Sequence, residues 1–100
     1  MKYDVDHFIN KFEAIPDELW TTGKYNDGNK CCVLGHCGHY DAQSYYNEES
    51  KALDLLFFVK HNITLINDGK CDRYKQSTPK ARILAALKDL KTDQWTLYCT

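Results

Sequence analysis

No charge of one sign dominates this sequence. Thirteen basic against fourteen acidic side chains leave a formal net charge of −1. Nothing across the chain as a whole draws it toward nucleic acid or an anionic membrane surface, and the basic residues form no run longer than isolated Lys and Arg pairs. The opening, Met1-Lys2-Tyr3-Asp4-Val5-Asp6, lacks the apolar stretch of a secretory signal. The longest apolar run, Leu55-Leu56-Phe57-Phe58-Val59, is far too short to cross a bilayer. A cytoplasmic protein with neither a nucleic-acid nor a membrane partner is therefore expected. In that compartment the five cysteines are expected as thiols, and their odd number leaves one unpaired in any case.

What is present is enough for one core. The chain has 100 residues, 43% hydrophobic and 13% aromatic, which suits a single domain over 1–100 and excludes a disordered composition. Val5, Phe8, Ile9, Phe12 and Ile15 fall on one face of a helix, with Asp4 as its cap and Pro16 closing it. Pro16-Asp17-Glu18 then predicts a short second helical turn. The stretch from Thr21 to Asn29 reads as a turn-rich loop. Asn47 is placed to cap a helix running through Ala52, Leu53, Leu55, Leu56, Phe57, Phe58 and Val59. Its nearly all-round apolar character predicts the central, most buried helix of a bundle. Ile63, Leu65 and Ile66 predict a brief extended segment. Thr78-Pro79 opens a last long helix with Ile83, Leu84, Leu87 and Leu90 inward and Lys80, Arg82, Lys88 and Lys91 outward. Trp95 to Tyr98 alternates as a short strand or return segment. Asn26-Asp27-Gly28 and Asn67-Asp68-Gly69 repeat one turn chemistry without repeating the flanking helices. The fold class expected is mainly α, a small single-domain helical bundle with short extended segments.

The densest chemistry lies in Cys31-Cys32-Val33-Leu34-Gly35-His36-Cys37-Gly38-His39, three cysteines and two histidines within nine residues. A structural zinc needs four tetrahedral ligands, usually as two spaced pairs. Cys32 and His36 would share a helical face, and Cys71 would have to supply a third ligand from a loop, so no familiar spacing is met. A cysteine nucleophile needs a histidine and an orienting group facing it. Cys37 beside His36 does not supply that, because sequence neighbours seldom point at one another. Free cysteine is among the most buried residue types, and the stretch reads best as a buried connector with His36 or His39 at its rim. No cofactor is expected.

Trp20-Thr21-Thr22-Gly23, Cys32-Val33-Leu34-Gly35, Ile63 through Asn67-Asp68, and Thr78-Pro79 ahead of Ile83-Leu84-Leu87 follow in an order that resembles a group of small uncharacterised bacterial and phage proteins. Those carry a tryptophan, a C-A-L-G-like stretch and an asparagine–aspartate pair before the last helix. The resemblance runs from about Phe8 to Leu90 on short motifs, and Val33 departs from the pattern. It implies a shared fold and a bacterial or phage setting, and it carries no activity with it.

The candidate ligand-binding residues lie in turns between helices: Trp20, Thr22, Lys24, His36, Asn67, Asp68 and Arg82. Trp20 would floor a pocket for a planar base, Asn67 and Asp68 would read its polar edges, and Lys24 or Arg82 would meet a phosphate. Each has an ordinary alternative: core for Trp20, a turn for Asn67-Asp68-Gly69, solvated charge for Lys24 and Arg82. The tyrosine-bearing run His39 to Tyr46 offers a protein-contact surface instead. The function expected is a non-enzymatic binding protein of bacterial or phage origin. It would capture a nucleotide-like ligand or a protein partner, and one task that such capture would serve is to counter a host defence system. The alternatives are a small enzyme using Cys37 with His36 or Asp68, and a zinc-stabilised interaction domain built on Cys32, His36 and Cys71. Self-association as a homo-oligomer would supplement so small a core.

Overall fold

The computed structural model describes residues 3–23, 26–37, 48–57 and 63–92. The fold is mainly helical, as expected. Helix α1 spans Val5–Glu13, α2 Val33–His36, α3 Glu48–Leu56, α4 Ile63–Asn67 and α5 Pro79–Lys91. A single 3-10 turn at Asp17–Leu19 follows α1, where Pro16 and two acids predicted one. Strands β1 (Asn26–Asp27) and β2 (Lys30–Cys31) pair antiparallel, Asn26 with Cys31 and Asp27 with Lys30. Gly28, at φ +66°, lets the chain reverse between them. The turn-rich loop is thus partly a hairpin.

Local chemistry starts the long helices. The Asp4 carboxylate accepts from the His7 N–H at 2.9 Å, and the Thr78 hydroxyl accepts from the Ala81 N–H at 3.1 Å. Each satisfies an N–H that has no carbonyl four residues back. Helices α1 and α5 lie against each other with opposite direction, since Lys91 meets Asp6 at 2.8 Å and Lys88 meets Glu13 at 3.7 Å. These exposed pairs add little. The interface itself is apolar: Phe8 and Phe12 from α1 and Ile83, Ala86 and Leu87 from α5 are fully buried in one core cluster. Each large side chain so buried stabilises the fold by about 1.5–3 kcal/mol.

Three sequence expectations are corrected here. Ile63 to Asn67 is helical, not extended. The buried positions are Ile63, Ile66 and Asn67, a helical spacing, while Leu65 is 45% exposed. The Gly69 N–H returns to the Ile66 carbonyl and the Lys70 N–H to the Leu65 carbonyl, closing α4 around Gly69 at φ +77°. Second, α3 is not the central helix. It buries only Ser50 and Leu53, with Phe57 just beyond its end, and Leu55 is 69% exposed. The centre belongs to α5, which packs against α1, α2 and α4. Third, Arg82 is 8% exposed and turns inward rather than facing solvent. The expectations for Asn47, Phe58, Val59, the tyrosine-bearing run and Trp95 to Tyr98 lie outside the described residues. Among the described residues no helix is long and apolar enough to cross a membrane.

Candidate functional site

Asn67, Asp68 and Arg82 gather at the end of α4, together with the start of α2, while Trp20 packs among other partners. Asn67 is fully buried at the end of α4. Its carboxamide oxygen accepts from the Val33 N–H at 3.1 Å, capping α2 from a distant helix. Its amide nitrogen donates to the Thr21 carbonyl at 3.0 Å and to the Asp68 carboxylate at 3.0 Å. The same Asp68 oxygen accepts from the Gly23 N–H at 2.9 Å. The adjacent side chains of Asn67 and Asp68 thereby hold both the 21–23 turn and the entry to α2.

Arg82 fixes the other side of that pair. Its Nε donates to the Ile66 carbonyl at 3.1 Å, one terminal nitrogen to the Asn67 carbonyl at 2.7 Å and the other to the Gln76 carbonyl at 2.7 Å. These carbonyls lie at the end of α4 and in the loop after it, the Ile66 oxygen accepting from the Gly69 N–H as well, and a planar cationic fork suits them. A Cβ on Gly69 would stand 3.2 Å from the Arg82 Cζ, so the guanidinium lies close against that turn.

Trp20 is 5% exposed. Its ring meets Phe12 edge-on at 5.4 Å and His36 at 4.6 Å, and its Nε1 donates to the Ile15 carbonyl at 3.4 Å. The ordinary alternative weighed for it, a place in the core, is the one it takes, directly after the 3-10 turn. Cys31 meets it from β2, and the Thr21 N–H donates to the Cys31 carbonyl at 3.0 Å. The half-buried His36 has its Nε2 3.0 Å from the Leu19 carbonyl. Burial pushes the imidazole pKa down, and that carbonyl pulls partly the other way. Thr22 is exposed on the turn, and Lys24 lies outside the described residues.

The thiol-rich segment packs inward, with Cys32, Val33, Leu34 and Cys37 all buried. Burial raises the Cys32 pKa and pushes that of Cys37 to about 12, with the Glu49 carboxylate adding to the second. Neither thiol is poised as a thiolate. Among the described residues no three of His, Cys, Asp and Glu are grouped to hold a metal ion, so Cys32, His36 and Cys71 do not assemble the suggested ligand set.

A second cluster escaped the sequence reading. Glu49, from the first turn of α3, accepts from Lys11 Nζ at 2.7 Å and lies 2.7 Å from His7 Nε2. The charge of this carboxylate also helps to raise the pKa of the buried Cys37 thiol. Partial burial pushes the Glu49 pKa up, but the Lys11 and His7 hydrogen bonds outweigh it and leave the carboxyl below its ordinary value. His7 and Lys11 are one helical turn apart on α1, a spacing visible in the sequence. Their common acid was not.

No family model matches the chain, and no curated protein or solved structure matches it either.

Proposed function

We propose that this chain is a non-enzymatic binding protein whose recognition edge is the pair of neighbouring turns at 21–23 and 28–30, offered to a protein partner. The observation that carries this reading is the inward use of Asn67 and Asp68, which pin the first turn from beneath. The Thr21–Cys31 hydrogen bond ties it to the hairpin that carries the second. Thr22, Gly23, Gly28, Asn29 and Lys30 are exposed along this edge. A turn held rigid before binding loses little entropy when it docks. A stacked nucleotide base is less favoured, because both Phe12 and His36 already lie against Trp20. A cysteine nucleophile is disfavoured by the burial of Cys37. The bacterial or phage setting, and a task in countering host defence, rest on the motif resemblance.

The test compares capture of bacterial proteins by the natural chain and by a Thr22→Asp, Asn29→Asp, Lys30→Glu variant that melts at the same temperature. A stoichiometric partner held by the first and lost by the second supports the reading. A partner held equally by both refutes the assigned edge. A rise of several degrees in melting temperature with mono- or cyclic nucleotides would replace it with small-ligand capture.

A further inference from the structure

The tripeptide Asn-Asp-Gly occurs twice, at 26–28 and at 67–69, and the two copies are held differently. An Asp–Gly step is chemically vulnerable, because glycine has no Cβ to keep its main-chain nitrogen from the preceding carboxyl. At 67–69 the Gly69 N–H donates to the Ile66 carbonyl at 3.2 Å. The Asp68 carboxylate accepts from the Gly23 N–H at 2.9 Å and from the Asn67 amide at 3.0 Å. The Arg82 guanidinium lies against the same turn, its Cζ 3.2 Å from where a Cβ on Gly69 would stand. At 26–28 the chain instead enters the loop of a hairpin closed by the Asp27–Lys30 pair. Ladder bonds join those two residues and leave the Gly28 N–H outside the ladder. It donates to no backbone carbonyl among the described residues. Gly28 is exposed, and a Cβ on it would meet nothing within 4 Å. From this contrast we infer that Asp27 is a site of spontaneous conversion to isoaspartate, while tertiary contacts shield the matching step at Asp68.

In the reaction the Gly28 nitrogen bonds to the side-chain carboxyl carbon of Asp27. The carboxyl, in its protonated form, loses its hydroxyl, which leaves as water with the proton of that nitrogen. Water then opens the succinimide ring at either carbonyl. Opening at the main-chain carbonyl leaves Gly28 joined through the side chain, and the backbone gains a methylene. One water leaves and one enters, so the mass is unchanged. The longer backbone no longer fits the pairing of Asn26 with Cys31 and Asp27 with Lys30, and the hairpin is altered. At Asp68 the same closure has to break the Gly69 bond and withdraw the carboxyl from its two donors, so it waits on local opening at the end of α4. This assignment does not depend on reading the hairpin as a partner surface.

Prolonged incubation of the folded chain at mildly acidic pH, where part of the carboxyl population is protonated, tests this. Peptide mapping separates the isoaspartyl form from its parent of equal mass, and electron-transfer fragmentation places it. Isoaspartate should accumulate at Asp27 at least about tenfold faster than at Asp68, since one net hydrogen bond is worth up to about tenfold and several oppose closure at Asp68. In concentrated urea the two sites, each an Asn-Asp-Gly step, should react at similar rates. The inference is overturned if the folded chain gains no isoaspartate at position 27, or gains it at position 68 at a comparable rate. It is equally overturned if the two rates differ as widely in urea, because the contrast would then belong to the flanking sequence.

Discussion

Replacing Asn67 by alanine removes a fully buried side chain that makes three hydrogen bonds to three different groups. The largest loss falls at the Val33 N–H, a buried donor at the start of α2 whose acceptor disappears. An orphaned buried polar group costs roughly 1–3 kcal/mol. The Thr21 carbonyl is only partly buried and regains water, so its lost bond costs about 0.5–1.5 kcal/mol. The small cavity adds about 1 kcal/mol. The sum is about 4 kcal/mol, a large part of the roughly 5–15 kcal/mol that holds a domain folded. Urea unfolding followed by far-UV circular dichroism reads it as a midpoint lower by about 1–4 M at an unchanged slope. A loss under about 1 kcal/mol would refute the reasoning, because water would then be reaching the Val33 N–H. Asn67→Asp sharpens the test. It keeps an acceptor for Val33 but places a second carboxylate beside Asp68 and opposite the Thr21 carbonyl. Burial and the Asp68 charge raise the pKa of the new carboxyl in the folded state. Its contribution is therefore fully present below the ordinary carboxyl range and lost as pH rises through the raised value. The deficit against the natural chain should grow from about pH 4 to about pH 7. Equal deficits at both would show that this position does not hold a desolvated pair.

Two further outcomes follow from the same geometry. Arg82→Lys keeps the charge but loses the fork that spans the Ile66, Asn67 and Gln76 carbonyls. It should cost about 2 kcal/mol, or roughly 8–16 °C in melting temperature, and a variant melting with the natural chain would deny the fork its role. Cys37, pushed up to about 12 in the folded state against 9.0 when unfolded, contributes stability that is present below pH 9 and lost as pH rises toward 12. That is at most about 4 kcal/mol. Cys37→Ser, which does not ionise, should lose stability more slowly than the natural chain by up to about 1.4 kcal/mol per pH unit in that range; parallel curves would remove the buried thiol as the cause.

The helices were legible where their signals are local. Asp4 and Thr78 each bond an N–H three residues on, so cap and capped group travel together in the sequence. Pro16 and Pro79 act through their own dihedral angle. The reading failed where a residue's role is set by what covers it. Leu55 and Leu53 belong to one apolar run, yet one is 69% exposed and the other fully buried. Ile63 to Ile66 carries β-branched residues that suit a strand, but the core asks for Ile63 and Ile66 together, and only a helix puts both on one side.

The candidate residues divide in the same way. By itself the chain determined that Asn67-Asp68-Gly69 makes a turn, because Gly69 tolerates φ +77° and its neighbours favour turns. It also determined that the cysteine stretch is small and apolar enough to be buried. Only the tertiary structure decided what Asn67 holds, since its partners Val33 and Thr21 lie 34 and 46 positions away. The same is true of Glu49, whose partners His7 and Lys11 are 42 and 38 positions distant. A cap reads its neighbours along the chain. A buried amide or carboxylate takes whatever donors and acceptors the packed core presents to it, and that is settled only when the helices meet.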